Sequence, residues 1–300
     1  MRILITGATG LIGCRLSSLA VTLGHDVYSA QHQTVPQFGI PVELNMLDVN
    51  SIETCFERVK PDAIIHLAAL TNVDRCERER DLAAQLNAKA VEKIVKEASA
   101  HNSHLVHVST EHVFDGSKGT YSETDNTNPL NWYGKTKLRG EEAVQSNASS
   151  WCIARTCAVF GLHDIKKTFP MILVEKLMAG QEMQVWKDQY VSPTYVTNLS
   201  RMLIEISEHK LQGIFHLSGS SRLSRLDHAK LLTDKLDLDE SLLKPVRMKE
   251  ANLVAERPMD SSFDVSKASS SLKAKPQSIE NSLEEFVKEL KSYMNIKTRY

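Results

Sequence analysis

The chain has 300 residues, of which 42% are hydrophobic and 24% charged, and its formal net charge at pH 7 is −1. This composition is typical of a globular protein with ample material for a core, in one large domain or two closely joined ones. The charge balance excludes a global field that would recruit nucleic acid or an anionic membrane, and no segment approaches the roughly 18 apolar residues of a membrane span.

The cysteines indicate a reducing compartment. Their number is odd, and their spacing contains no CxxC pair or other metal-ligand pattern. The N-terminal stretch MRILITGATG is apolar too briefly for a signal peptide. We therefore expect a cytoplasmic protein without a metal site, with reduced thiols at Cys14, Cys55, Cys76, Cys152 and Cys157.

Short apolar runs alternate with amphipathic ones through the first two thirds of the chain. Most of the apolar runs are hydrophobic on both faces, as buried parallel strands require. The alternation predicts an α/β fold with a doubly wound parallel sheet. Strands are predicted over 2–6, 25–30, 63–68, 104–109 and 151–156, and helices over 11–23, 50–59, 81–101 and 132–147.

Beyond residue 165 the pattern becomes irregular. It predicts a smaller C-terminal lobe, from which residues 195–218 return to the sheet as a helix and a strand. Further predicted elements are a helix over 168–179, a polar stretch over 181–194, a helix over 195–208, a strand over 213–219 and a closing helix over 280–294.

Three glycines lie between the first strand and the first helix, in LITGATGLIGCRL. The spacing of Gly7, Gly10 and Gly13 is GxxGxxG, and its logic is that of the Rossmann turn. One glycine permits the tight turn, one lets the backbone approach a pyrophosphate, and one allows close packing of helix on sheet. The helix N-terminus then presents free N–H groups to the phosphates, so the turn predicts a dinucleotide site.

The end of the second strand bears on the choice of dinucleotide. The segment YSAQHQ (28–33) has no carboxylate to exclude a 2′-phosphate, and Ala30, Gln31 and His32 leave room for one without offering an arginine. We therefore favour NADP(H), with NAD(H) possible. Asp48, after the next strand, either bonds the adenine amine or caps the helix over 50–59.

The segment NWYGKTKLRGE places Tyr133 and Lys137 four residues apart on one face of a predicted helix. The preceding strand ends in Ser109 and Thr110, at the carboxyl edge of the sheet where ligands bind. The lysine is expected to depress the tyrosine pKa, so that the phenol can protonate a developing alkoxide while Thr110 holds the carbonyl. A second such pair, Tyr293 and Lys297, lacks this context and is predicted to lie on the surface.

Several motifs together resemble the extended short-chain dehydrogenase/reductases. GATGLIG, HLAALTNVD, VSTEHVFDG and YGKTK occur in the order typical of that class. VFDGS, NPLNWYGKTKLRGE, DQYVSPTYV, GIFHLSG and ERPMDSSFDVSK narrow the resemblance to the dTDP-4-dehydrorhamnose reductase family, over most of the chain. The resemblance implies a dinucleotide-binding domain over 1–165 with about 195–218, and a substrate-binding lobe over about 166–194 and 219–300.

The resemblance also implies residue roles. The catalytic triad would be Thr110, Tyr133 and Lys137, with Asn87 supporting the lysine through water. The cofactor would contact Gly7, Gly10, Leu11, Ile12, Gly13, His32, Asp48, Ala68, Ala69, Thr71, Tyr133 and Lys137. The nucleotide-sugar would face Thr110, Glu111, His112, Trp186, Gln189, Pro193, Thr194 and Arg257.

Some positions depart from the family or have two interpretations. The family has Asp-Tyr where this chain has Glu111 and His112, so the histidine either alters sugar choice or packs where the tyrosine did. Trp186 either walls the sugar pocket or packs in the lobe. His66, His104 and His107 are predicted to be hydrogen-bonded structural histidines. A homodimer is the expected assembly.

Three functions remain open. The first is an NADPH-dependent reductase of a 4-keto-deoxysugar nucleotide, converting dTDP-4-dehydrorhamnose to dTDP-L-rhamnose. The second is another nucleotide-sugar reductase or epimerase, since specificity lies in the less regular lobe. The third is a non-catalytic dinucleotide-binding subunit, because YGKTKL and GIFHLSG also resemble the regulatory β subunit of methionine adenosyltransferase.

Overall fold

The computed structural model describes residues 1–297, and the side chains of residues 1–294. Its strands are β1 (Arg2–Thr6), β2 (Asp26–Gln31), β3 (Ile40–Glu43), β4 (Ala63–His66), β5 (His104–Thr110), β6 (Trp151–Thr156), β7 (Val159–Phe160), β8 (Met183–Trp186), β9 (Tyr190–Val191), β10 (Thr194–Tyr195), β11 (Gly213–His216), β12 (Leu223–Ser224) and β13 (Leu243–Val246).

Helices cover both faces of the sheet and build the C-terminal region. They are α1 (Leu11–Thr22), α2 (Val49–Val59), α3 (Val73–Arg78), α4 (Arg80–Ala84), α5 (Ala90–Ala100), α6 (Trp132–Asn147), α7 (Phe169–Met178), α8 (Val196–His209), α9 (Arg225–Lys235), α10 (Ser266–Ser271) and α11 (Ile279–Lys297). Short 3₁₀ turns occupy Glu111–Val113, Glu240–Leu242 and Met248–Glu250.

Seven parallel strands form the central sheet in the order β11-β6-β5-β4-β1-β2-β3. The order reverses at β1, which is the topological switch point where doubly wound folds bind their ligands. Register aligns Thr6 of β1 with His66 of β4, and His66 with His107 of β5. The predicted doubly wound parallel sheet is confirmed.

Alternate residues of the central strands enter two cores, one on each face of the sheet. Ile3 and Ile5 pack in the core that includes α8, whereas Leu4 packs in the core that includes α2 and α5. Both faces are therefore apolar, which explains why these strands read as continuous hydrophobic runs.

Two regions of the sheet half differ from the predicted elements. The edge strand β3 was expected before Asp48 but without bounds, because it has only four residues, includes a proline and buries only Val42. The single helix predicted over 81–101 is instead α4, a π-helical turn (Gln85–Lys89) and α5. Asn87 lies in the π turn and is fully buried. Such π-helical bulges occur frequently at functional sites.

The C-terminal region, residues 166–194 and 219–297, has its own apolar core. Side chains of α7, α9 and α11 pack there around Phe160 and Phe286, both nearly fully buried. The polar stretch predicted over 181–194 contains β8, β9 and β10, which pair with β13, β12 and β7 in two-stranded sheets. No helix of the described residues is long and apolar enough to cross a membrane.

Candidate active site

A cavity of about 620 Å³ opens at the carboxyl edge of the sheet, beside the switch point. We call it the main cavity. It brings together most of the residues predicted for the cofactor and for catalysis. The predicted site residues that line it are Gly7, Gly10, Leu11, Ile12, Gly13, Ala68, Ala69, Thr71, Thr110, Glu111, His112, Tyr133 and Lys137.

The glycine turn forms one wall of the main cavity. Gly7 has a φ of 67°, and a Cβ at Gly13 would lie 2.2 Å from the Gly7 carbonyl oxygen, so both positions require glycine. A Cβ at Gly10 would meet only that oxygen, at 3.4 Å. No side chain caps the N-terminus of α1, which leaves its first N–H groups available to an anion.

Two buried hydroxyl groups in the main cavity are also available. Ser109 Oγ and Thr156 Oγ1 are buried and have no hydrogen-bond partner among the described residues. Buried polar groups are usually satisfied, so unpaired hydroxyls in a cavity point to a polar ligand or water. Together with the uncapped helix N-terminus, they fit a dinucleotide lying across the end of the sheet.

Thr110 ends β5, and the 3₁₀ turn that follows arranges the next two side chains. The Thr110 hydroxyl donates to Glu111 Oε2 at 2.8 Å and accepts from the His112 N–H at 3.2 Å. Glu111 Oε1 accepts from the Ala158 N–H at 3.3 Å. A buried carboxylate therefore lies directly beside the predicted catalytic threonine.

Helix α6 brings Tyr133 against this turn. Asn131 caps the helix by accepting from the Gly134 N–H at 2.9 Å, and its amide donates to His112 Nδ1 at 3.0 Å. A Cβ at Gly134 would lie 2.1 Å from the His112 carbonyl oxygen, so this close approach requires glycine. The rings of His112 and Tyr133 meet edge to face, with centroids 5.4 Å apart.

The pKa of Tyr133 is shifted in the direction opposite to the prediction. Burial and the Glu111 carboxylate raise the tyrosine pKa, and the nearby Thr110 side chain only partly opposes them. The expected depression by Lys137 was wrong, because the ammonium is directed at β5. Lys137 Nζ donates to the Val108 carbonyl oxygen at 2.8 Å and to His107 Nε2 at 3.2 Å.

Burial lowers the pKa of the Lys137 ammonium to about 8, while the Glu141 carboxylate opposes this shift. Lys137 is only 2% exposed, which explains the large loss of hydration. Glu141 is itself buried and paired with Arg155, with 2.7 Å between the Oε2 and Nη2 atoms. The lysine therefore stays mainly protonated at neutral pH.

Asn87 contacts the helix of Lys137, the predicted catalytic lysine, but not the lysine itself. Its Oδ1 accepts from the Leu70 N–H at 2.8 Å, and its Nδ2 donates to the Leu70 carbonyl at 3.1 Å and to Thr136 Oγ1 at 3.2 Å. Both amide hydrogens are thus used. The asparagine fixes the backbone after β4 against α6.

Seven residues predicted to contact the cofactor or the nucleotide-sugar do not line the main cavity: His32, Asp48, Trp186, Gln189, Pro193, Thr194 and Arg257. Pro193 lies between β9 and β10. His32 is exposed just beyond β2. Asp48 caps α2 by accepting from the Asn50 N–H at 3.0 Å, so the capping interpretation holds. Trp186 ends β8 and pairs in register with Val246.

The remaining three have partners within the protein. Gln189 accepts from Arg225 Nε at 3.1 Å, and Thr194 donates to the Cys157 carbonyl at 2.6 Å. Arg257 donates to Asp74 at 2.9 Å and to the Ala255 carbonyl oxygen at 2.6 Å. These polar groups therefore hold the C-terminal region together and join it to the sheet half.

Sequence reasoning missed Arg225, the first residue of α9. Its guanidinium lies over the Phe169 ring, 5.5 Å from the centroid. Burial lowers the pKa of Arg225 against the effect of the Glu111 charge, and the arginine charge adds to the burial that lowers the pKa of His112. Its two Nη atoms make no hydrogen bond or ion pair with any described residue. The preceding Ser224 caps α9, so the local pattern predicts a helix start but gives no sign of a site.

Lys166, in the loop before α7, was also missed. It lines the main cavity, and its Nζ donates to Thr71 Oγ1 at 3.3 Å from the opposite wall. Burial lowers the pKa of this lysine.

Among the described residues, no group of three or more His, Cys, Asp or Glu side chains is placed to hold a metal ion.

Comparison with known proteins identifies the family. The model of the family described as RmlD substrate binding domain matches residues 1–292. The methionine adenosyltransferase 2 subunit beta of Xenopus tropicalis is 32% identical over 276 residues, which cover 89% of this chain and 81% of that protein.

Solved structures include reductases with the same fold. The dTDP-4-dehydrorhamnose reductase of Bacillus anthracis, in complex with NADP, is 29% identical with a TM-score of 0.87, covering 96% of this chain and 99% of that one. A hypothetical dTDP-4-dehydrorhamnose reductase from Sulfolobus tokodaii is 35% identical with a TM-score of 0.84, covering 93% and 97%.

These matches confirm the predicted resemblance to extended short-chain dehydrogenase/reductases and the predicted class of NAD(P)-dependent oxidoreductase. The NADP in one neighbour agrees with the preference for NADP over NAD. With a family model matching residues 1–292, the chain belongs to the RmlD substrate binding domain family.

Proposed function

We propose that this chain is an NADPH-dependent reductase of a 4-keto-deoxysugar nucleotide, and that it converts dTDP-4-dehydrorhamnose to dTDP-L-rhamnose. The observation that carries the proposal is the presence of Thr110, Tyr133 and Lys137 in one cavity with the glycine turn. This combination suits reduction of a carbonyl, because it places a proton donor beside a dinucleotide site.

Tyr133 carries its proton at neutral pH, since its pKa is raised and not lowered, and reduction requires a proton donor. A phenol that stays protonated at neutral pH is ready to give its proton to an oxygen that becomes negative. Thr110 would hold the sugar carbonyl beside that phenol by turning its hydroxyl hydrogen from Glu111 to the carbonyl oxygen. Lys137 would contribute through the ammonium hydrogen that is not bonded to β5 and that can point into the main cavity.

Residues of the glycine turn and of the loop after β4 would hold the cofactor, which supplies the hydride when bound. The uncapped N-terminus of α1 would face its pyrophosphate, and Ser109 and Thr156 would offer hydroxyls to its nicotinamide half. His32 would accommodate the 2′-phosphate, since no carboxylate follows β2 to exclude it. Asp48 would combine its capping role with a bond to adenine.

The contacts within the protein change which residues would bind the nucleotide-sugar directly. Glu111 and His112 line the main cavity beside Tyr133 and would read the sugar. Gln189 would act by holding Arg225, and Arg257 would meet the diphosphate only by leaving Asp74. Trp186 and Thr194 would support the walls of the site.

The two parts of the chain would bind different ligands. We infer that residues 1–165 with about 195–218 bind the dinucleotide, and that about 166–194 and 219–300 bind the substrate; residues 298–300 lie outside the described part of the chain. A cytoplasmic location and a homodimer belong to the proposal as well. All five cysteines are free thiols, as the cytoplasm would keep them.

A second candidate is a regulatory, dinucleotide-binding subunit. The observation that favours it is the 32% identity to a methionine adenosyltransferase 2 subunit beta over 89% of this chain. A binding subunit needs the glycine turn but has no need of a buried Tyr133 beside Thr110. The two candidates therefore differ in what loss of the phenol does.

The deciding experiment follows NADPH oxidation by the purified protein with dTDP-4-dehydro-6-deoxy-L-lyxo-hexose. We expect steady turnover in the wild type and a loss of roughly 10²–10⁴ in kcat in Tyr133→Phe. Tyr293→Phe is the matched control, since its hydroxyl contacts Asp164 at 3.0 Å, away from the catalytic residues; the side chain of its sequence partner Lys297 lies outside the described residues.

Each result of this assay separates the candidates. NADPH binding without oxidation, in wild type and variants alike, would refute the reductase and favour the regulatory subunit. Turnover with a different nucleotide-sugar, but not with this one, would keep the chemistry and overturn the substrate.

A further inference from the structure

A row of buried polar side chains lies beneath the main cavity. Thr6, His66 and His107 occupy matching positions on the adjacent strands β1, β4 and β5, and Lys137 reaches the row from α6. All four side chains are at most 2% exposed. Burying polar groups at the centre of a sheet costs free energy unless the groups are hydrogen-bonded.

The hydrogen bonds assign the tautomer of His66. Thr6 Oγ1 accepts from the Leu67 and Ala68 N–H groups, each at 3.1 Å, so its own hydrogen is donated to His66 Nδ1 at 2.7 Å. His66 therefore carries its proton on Nε2. Burial, assisted by the Lys137 charge, lowers the pKa of His66 to about 3, which keeps the ring neutral.

The same reasoning applies to His107. An ammonium can only donate, so His107 Nε2 accepts from Lys137 and the ring proton lies on Nδ1. Burial first, then the Lys137 charge, lowers the pKa of His107 well below its ordinary value. The two neutral rings stack with centroids 5.4 Å apart, and their N–H groups have no partner among the described residues.

These contacts account for the hydrogens of the Lys137 ammonium. One is bonded to the Val108 carbonyl and one to His107, both on β5, which leaves the third for the main cavity that the lysine lines. Asn87 does not contact Lys137, because its side chain is bonded to Leu70 and Thr136.

We propose that His107 is the positioning residue of Lys137: it accepts one ammonium hydrogen, so that the lysine stays protonated and directs its remaining N–H into the main cavity. His66 supports this role by stacking on His107, in a tautomer that Thr6 fixes. The consequence for catalysis rests on the proposed reductase function, whereas the consequence for the lysine itself does not.

The groups that face Lys137 define the expected pH effect. His107 and His66 approach from the sheet and are neutral, and Tyr133 and Glu141 share its helix. Glu141 is neutralised by Arg155 of β6. Removing the His107 acceptor removes a hydrogen bond that is stronger to the ammonium than to the neutral amine, so the lysine should lose its proton at lower pH.

The test compares three variants of the full chain. His107→Leu removes the acceptor, and His107→Gln keeps one, because its amide oxygen can accept from the ammonium. His104→Leu is the matched control: this histidine is equally buried on β5, but its Nδ1 bonds Ser150 Oγ at 2.8 Å and it does not touch Lys137. All three are first measured for folded fraction and melting temperature.

With the reductase assay, we expect His107→Leu to lower kcat about tenfold at pH 7, with the KM for the nucleotide-sugar unchanged. The alkaline fall of its rate should move to lower pH by about one pH unit. His107→Gln should recover most of both, and His104→Leu should lose stability only. A wild-type pH profile in His107→Leu, or the same shift in His104→Leu, would overturn the proposal.

An activity-free measurement separates this proposal from the proposed function. The ¹⁵N chemical shift of Lys137 Nζ is followed against pH in protein labelled with ¹⁵N-lysine, with Lys137→Met identifying the signal. We expect the midpoint to fall in His107→Leu and to return in His107→Gln. Identical midpoints in wild type and His107→Leu would refute the role of His107, whether or not the protein reduces a sugar.

Discussion

The sheet half, which provides most of the main cavity, and the C-terminal region differ in how many of their polar groups are already bonded. On the sheet side, the N-terminus of α1 has no side-chain cap, and the hydroxyls of Ser109 and Thr156 have no partner among the described residues. In the C-terminal region, the polar side chains predicted to meet a substrate are bonded within the protein. The sheet side is therefore prepared for a ligand, whereas the C-terminal region uses its polar residues to hold itself in place.

This difference has a consequence for specificity. A lobe whose amides and charges are bonded internally has few groups left for choosing a substrate. Arg225 is the clearest exception, since Gln189 and Phe169 fix its guanidinium while the two Nη atoms have no partner among the described residues. The expected effect of a mutation depends on whether it lies in the sheet half or in the C-terminal region.

The largest effect is expected in the glycine turn, which belongs to the sheet half, where polar groups are free to bind a ligand. Gly13→Ala would place a Cβ 2.2 Å from the Gly7 carbonyl oxygen and 2.6 Å from Ala8 Cα. Because backbone cannot give way there, we expect a loss of about 3 kcal/mol in the free energy of unfolding, and no measurable NADPH binding. Urea denaturation and NADPH fluorescence titration measure both quantities.

Gly10→Ala is the matched control for that prediction. Its Cβ would have only one neighbour, at 3.4 Å, so the protein should fold with wild-type stability. The added methyl group would still reduce the room for a pyrophosphate, and NADPH affinity should fall about tenfold. If Gly10→Ala bound NADPH as tightly as the wild type, the pyrophosphate would have to lie elsewhere.

The next effect concerns pH and Lys137, the proposed catalytic lysine. With a pKa of about 8 for Lys137, the rate of NADPH oxidation should be constant near pH 7 and fall about tenfold per unit well above pH 8, as the ammonium is lost. Stability should show the opposite trend between pH 8 and the ordinary lysine pKa. In that range the unfolded chain binds more protons than the folded one, so unfolding becomes harder as pH rises.

Lys137→Met tests that sign. The variant should lose the rise in stability between pH 8 and about 10 that the wild type shows, as measured by urea denaturation at a series of pH values. An equal rise in both proteins would mean that another group causes it. A wild-type rate of NADPH oxidation that stays constant to pH 10 would contradict the lowered pKa of Lys137.

A smaller effect is expected for Arg225 of the C-terminal region, whose charge acts on His112 of the main cavity. Arg225→Gln should raise the KM for the nucleotide-sugar about tenfold, because a fixed guanidinium facing an anionic ligand contributes charge-assisted hydrogen bonds. The KM for NADPH should not change. Arg222→Gln is the control, since that arginine is exposed and already paired with Asp260; equal effects in both variants would refute a specific role for Arg225.

The same contrast explains what the sequence could predict. The glycine turn, the sheet strands and the Tyr133–Lys137 pair were found because backbone geometry fixes their spacing, and strict periodicity reveals it. Gln189 and Arg257 were placed in the predicted substrate site because their motifs are local, whereas their partners Arg225 and Asp74 lie 36 and 183 residues away. Long-range side-chain pairing has no periodic signature, and neither has the effect of Glu111 on the Tyr133 pKa.

The smallest effect is expected at the ion pair between Asp74 of α3 and Arg257. Burial opposes ionisation, but hydrogen bonds from the Ala255 N–H and from Arg257 hold the pKa of Asp74 below its ordinary value. Asp74→Asn keeps an acceptor oxygen and removes the charge. Because the pair is partly exposed, we expect a loss of at most about 1 kcal/mol in stability at pH 7.

The pH dependence and the substrate kinetics of Asp74→Asn sharpen the comparison. The stability difference from the wild type should be complete above the ordinary aspartate pKa and should vanish as pH falls through the lower folded value, because the wild-type carboxylate is then protonated. The KM for the nucleotide-sugar should move less than threefold if Arg257 is a structural residue of the C-terminal region. A tenfold fall in that KM would instead mean that Asp74 competes with the diphosphate for Arg257, and that the C-terminal region keeps a charge in reserve for its substrate.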